Sequence, residues 1–76
     1  MSLKEQLTKA LGAQATHDSL LKLVEKYQQQ GLTPDESYRV LEQIWLQFGF
    51  DETEEQSPAR DNLEYVMEKV WYQGAH

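Results

Sequence analysis

The sequence contains no cysteine, which excludes disulfide bonds. Small secreted domains usually depend on disulfides, so the absence favours a reducing compartment, and we expect the protein to be cytoplasmic. Long apolar runs are missing too. No run exceeds three residues, as at 44–46, whereas a membrane-spanning helix needs about 20 apolar residues. We therefore expect neither a membrane span nor a membrane partner.

Clusters of basic residues are also absent. Residues 32–76 hold three basic and ten acidic residues, a net charge of −7, and residues 1–31 carry +1, which together give the overall −6. Binding to a phosphate backbone depends on clustered Lys and Arg, so nucleic acid is excluded as a partner. The acidic balance is compatible with a basic partner protein.

Groups that carry out covalent chemistry are scarce. Of the two histidines, His76 is the terminal residue and His17 stands beside Asp18, where neighbours on a helix do not face each other. The acidic residues of 51–56 lack the alternating ligands and central glycine of a calcium-binding EF-hand loop. The sequence therefore predicts no catalytic residue, no metal site and no cofactor, and we expect a protein that is not an enzyme.

Capping residues and apolar spacing predict four helices, over residues 3–11, 17–30, 34–48 and 58–73. The strongest start is the segment Thr-Pro-Asp-Glu at 33–36, which combines an N-cap hydroxyl with a proline at the first helical position. The four glycines are each expected to end a helix. Residues 51–57 are predicted to form a solvated acidic loop.

These helices have short connections, which favour antiparallel neighbours, and no period-two apolar pattern indicates a strand. The sequence thus predicts a single all-α domain over residues 1–76, a small three- or four-helix bundle. The expected core positions of the last three helices are Leu20, Leu23, Val24 and Tyr27, then Tyr38, Leu41, Ile44, Trp45 and Phe48, then Leu63, Val66, Met67 and Val70.

A few large side chains fall outside these buried stripes. Tyr65 and Tyr72, seven residues apart, share one line of the fourth helix, and acidic residues flank that line. Tyrosine is a common anchor in interfaces, and carboxylates steer a cationic partner. The alternative is that the tyrosines cover the first helix or are merely half-exposed. The candidate partner-binding residues are Asp61, Glu64, Tyr65, Glu68, Tyr72 and Leu46.

The leading functional prediction is a small interaction or regulatory protein that binds another protein. In size, helicity and charge, though in no motif, the chain resembles immunity proteins and nucleic-acid mimics, and this resemblance implies an acidic inhibitor of a basic target. The second prediction is a structural module that self-associates as a homodimer, which would relieve the small size of the core. An enzyme or metal-binding protein is a distant third.

Overall fold

The computed structural model describes residues 2–53 and 55–74, and within them it contains four helices and no strand. The helices are α1 (Leu3–Gly12), α2 (His17–Gln29), α3 (Pro34–Gln47) and α4 (Pro58–Tyr72). Each begins at the residue expected from its cap and ends one residue from the predicted position. Glu54 of the acidic loop and His76 lie outside the described residues.

All four helices begin at a hydroxyl side chain. Ser2, Thr16, Thr33 and Ser57 each accept a hydrogen bond from the backbone N–H three residues later, over 3.1–3.4 Å. Such caps satisfy donors that have no partner within the helix. In α3 and α4 a proline follows the cap directly, where its missing N–H removes no helical bond.

Three helices are followed by a glycine of positive φ, as predicted: α2 by Gly31, α3 by Gly49 and α4 by Gly74. After α2, Gly31 adopts a φ of 113°, and the N–H of Leu32 donates to the carbonyl of Tyr27. After α3, Gly49 has a φ of 73°, and the N–H of Phe50 donates to the carbonyl of Trp45. Both are the six-to-one bond of the Schellman motif.

Gly12 is the last residue of α1, as predicted, but this helix end differs from those of α2 and α3 because Gly12 itself has no positive φ. Gly12 lies inside the last turn, and Gln14 takes the left-handed conformation instead, with a φ of 60°. The N–H of Ala15 then closes the motif on the carbonyl of Ala10 at 3.0 Å. Leu11, one residue before Gly12, lies on the inner face of α1 and is only 3% exposed.

Apolar side chains from all four helices meet in one core. α1 is part of it, because its three leucines at the core face are buried. A small polar cluster joins the other helices: Gln28 of α2 donates to Ser37 of α3 and to Gln73 at the end of α4. The buried apolar residues are Leu3, Leu7, Leu11, Leu20, Val24, Leu41, Ile44, Leu63, Val66 and Val70.

Contacts between helices show their directions. α1 and α2 are antiparallel, since Gln6 in the first half of α1 donates to the Tyr27 hydroxyl near the end of α2. α3 and α4 are antiparallel as well, as the ring contacts described below show. The predicted small all-α bundle with antiparallel neighbours is therefore confirmed. No helix in the described residues combines the length and apolar character needed to cross a bilayer.

Candidate partner-binding groove

An open groove of about 510 Å³ lies between α3 and α4. Its lining combines aromatic side chains from both helices with charged side chains from α4 alone. The groove exists because several residues expected in the core are only partly buried: Tyr38, Trp45 and Met67 pack against the core with one side and face the groove with another. The lining residues are Tyr38, Trp45, Arg60, Glu64, Met67, Glu68, Trp71 and Tyr72.

The aromatic lining follows from the antiparallel pairing of the two helices. Tyr38, near the start of α3, meets Trp71, near the end of α4, with ring centroids 5.4 Å apart and planes at 56°. Two turns further along α3, Trp45 lies over the start of α4 and contacts Phe50 edge-on at 5.3 Å. Trp71 and Tyr72 remain 43% and 75% exposed. The groove thus offers rigid aromatic area, which is well suited to binding.

Arg60 closes one end of the groove. Its guanidinium lies 5.4 Å from the ring centroid of Trp45, within the range of a cation–π interaction. The same group donates to the backbone carbonyls of Thr53 at 3.1 Å and Glu55 at 3.3 Å. The acidic loop is therefore tied to α4 by its backbone, while the side chains of Glu52 and Glu55 face solvent.

Two carboxylates border the open part of the groove. Glu64 and Glu68 are exposed, and they lie four residues apart on α4, a rise of about 6 Å. Within residues 2–53 and 55–74, neither forms an ion pair. An aromatic groove bordered by unpaired carboxylates favours a ligand that carries positive charge beside apolar groups.

The structure divides the predicted site residues. Glu64, Glu68 and Tyr72 line the groove. Asp61 is exposed on α4 but does not line it, and Leu46 is 57% exposed on α3, also outside the groove.

Tyr65 lies on the same line of α4 as Tyr72 but does not line the groove. It is 37% exposed, its ring centroid is 4.2 Å from that of His17 on α2, and the ammonium of Lys69 is 5.3 Å from it. Tyr72 thus lines the groove, whereas Tyr65 packs against α2. The alternative weighed from the sequence was that the tyrosines cover the first helix or are half-exposed; Tyr65 contacts the second helix instead of the first, and its exposure of 37% agrees with the half-exposed form of that alternative.

Five of the lining residues were not among the predicted site residues. One feature of the sequence is common to all five: each lies at the margin of the apolar stripe of its helix. Tyr38 and Trp45 are seven residues apart on one edge of α3, and Arg60, Met67 and Trp71 repeat at seven and four residues on one edge of α4. Facing edges of two adjacent helices are where a groove forms, so this repeat could have indicated it.

Comparisons with protein-family models, with curated proteins and with solved structures found no match to this chain. Within the described residues, no three histidine, aspartate or glutamate side chains are grouped so as to hold a metal ion.

Proposed function

We propose that this protein is a non-enzymatic interaction or regulatory protein that binds a basic segment of another protein in the α3–α4 groove. One observation carries the proposal: exposed aromatic rings line the same groove as Glu64 and Glu68, whose carboxylates form no ion pair with the part of the chain that the structure describes. Aromatic anchors supply most of the affinity in many interfaces, and charge complementarity selects the partner and speeds association.

The distribution of charge supports a basic partner. Residues 32–76, which include both helices of the groove, carry a net −7, whereas residues 1–31 carry +1. A basic surface would therefore be attracted to the groove side of the molecule. An acidic inhibitor that covers a basic target is the most specific form of this proposal. The absence of cysteine supports action in a reducing compartment such as the cytoplasm.

A homodimer is the second candidate, favoured by the exposure of Leu46, Trp71 and Tyr72. In a two-fold dimer the same patch meets itself, so pairing through the groove would gather four like charges, Glu64 and Glu68 of both copies, in one interface. This like-charge contact argues for a basic partner over a second copy. Sedimentation over a wide range of concentrations separates the two: we expect a monomer throughout, and a dimer would favour self-association.

A random peptide library, selected for binding to the immobilised chain, tests the proposal even though the partner itself is unidentified. We expect the enriched peptides to carry net positive charge and apolar or aromatic residues. Their binding should weaken as salt is added, because exposed charges are screened over about 10 Å at 0.1 M salt.

Two charge-matched variants make the selection specific. Glu64→Gln/Glu68→Gln removes two charges at the groove, and Glu5→Gln/Glu25→Gln removes two exposed charges from α1 and α2. The first variant should lose most of the binding and the second should retain it. Enriched peptides without a basic bias, or equal losses in both variants, would contradict the proposal.

A further inference from the structure

On the premise of the proposed function, we infer that the groove contains a seat for one arginine side chain of the partner. Tyr38 and Trp71 form its walls, and Glu64 and Glu68 stand at its border. The two rings are tilted at 56° to each other, and together they offer an aromatic surface on which a planar guanidinium can stack. The carboxylates are placed to pair with a positive charge on that group.

The chain itself contains the same arrangement at the other end of the groove. There, the guanidinium of Arg60 lies over Trp45 and donates to two carbonyl oxygens. Trp45 and Tyr38 are seven residues apart on α3, which places the two aromatic stations about 10 Å apart along the helix. The inferred seat is the second aromatic site along the groove. Its hydrogen-bond acceptors are carboxylates, and neither arginine of the chain is placed in it.

The basic residues of the acidic half are engaged elsewhere. Residues 32–76 contain three: Arg39 forms an ion pair with Asp35 at 3.2 Å, Lys69 lies over Tyr65, and Arg60 is held at Trp45. Within residues 2–53 and 55–74, Glu64 and Glu68 form no ion pair, so their charges are available to a partner.

Arginine fits this seat better than lysine for two reasons. Its planar, weakly hydrated guanidinium stacks on aromatic faces. Its fixed fork of N–H donors can also reach two carboxylates at once, whereas an ammonium acts as a point charge. The carboxylates of Glu64 and Glu68 lie one helical turn apart beside two aromatic rings, and this arrangement suits both properties of arginine.

Three blocked pentapeptides that differ only in the central residue test this inference. The central residue is arginine, lysine or the neutral isostere citrulline, and ionic strength is held constant. Binding is followed by NMR through the indole N–H signals of the two tryptophans. We expect the arginine peptide to shift the Trp71 signal saturably, with affinity about two- to fivefold above lysine, the range of an exposed cation–π contact.

Citrulline should bind more weakly than either cation. Glu64→Gln/Glu68→Gln should lower the arginine affinity by about three- to tenfold, as expected for two exposed ion pairs, and Glu5→Gln/Glu25→Gln should leave it unchanged. Equal affinities for the three peptides would overturn the arginine seat. If peptides from the library still bound the groove in that case, the proposed function would stand; if nothing bound there, both would fail.

Discussion

The end of α1 can be tested by mutation, because a left-handed residue at Gln14 and a left-handed residue at Gly12 predict opposite effects of the same substitution. Gly12 is the last helical residue of α1, its φ is not positive, and a Cβ added there would meet nothing within 4 Å. Gly12→Ala should therefore stabilise the protein by up to about 0.5–1 kcal/mol, the advantage of Ala over Gly at a helical position. Were Gly12 the left-handed end of the helix, the same change would destabilise it.

Gln14 provides the complementary change. It is the only residue other than glycine with a positive φ in residues 2–53 and 55–74. The left-handed conformation costs a residue with a Cβ about 1–2 kcal/mol, and glycine's extra freedom in the unfolded chain offsets about 0.5–1 kcal/mol of the relief. Gln14→Gly should thus stabilise the protein by about 0.5–1 kcal/mol.

Thermal and urea unfolding, followed by circular dichroism, measure both effects. Since about 1 kcal/mol moves the Tm of a domain this size by roughly 4–8 °C, the double variant should gain about 5–15 °C. Gly31→Ala is the control, because its φ of 113° suits glycine alone, and it should lose about 1 kcal/mol or more. A lower Tm for Gly12→Ala, or for Gln14→Gly, would refute the account of this helix end.

Three further changes test the contacts that hold the groove and the bundle in place. Arg60→Met removes two hydrogen bonds to the loop and the contact with Trp45, and it should lower the free energy of unfolding by about 1–2 kcal/mol. Hydrogen exchange of the Glu55 amide should become faster; an unchanged exchange rate would argue that Arg60 does not hold the loop on α4. Leu7→Ala should cost about 2–5 kcal/mol, since Leu7 is fully buried, and a loss below about 1 kcal/mol would mean that α1 does not dock. Asn62→Ala removes the bond to the Ala15 carbonyl at 3.1 Å and should cost about 1 kcal/mol in urea unfolding; no change would show that this link is not needed.

The parts of the fold that were predictable are those that depend on neighbouring residues. A hydroxyl followed by proline, as at Thr33-Pro34 and Ser57-Pro58, specifies a helix start by local hydrogen bonding alone. The ends at Gly31 and Gly49 are equally local, because glycine tolerates a positive φ. The end of α1 is different: Gln14, which takes the left-handed conformation there, gives no local signal of it in the sequence.

The groove, too, was predictable only where it depends on local sequence. Angular position on α4 was enough to predict that Glu64, Glu68 and Tyr72 are exposed, since they lie far from the buried stripe. Residues at the margin of a stripe, such as Trp45, are covered or exposed according to where the next helix packs, which is a long-range property. The packing of Tyr65 on His17 depends on it too.

A chemical-shift map tests the central claim most directly. An amide and indole NMR spectrum of the chain, recorded during titration with one basic peptide from the library, locates the bound surface residue by residue. We predict that the largest shifts fall at Tyr38, Glu64, Glu68 and Trp71, with little change at Glu25 on α2. Largest shifts on α1 or α2, with the α3–α4 groove unaffected, would contradict the account.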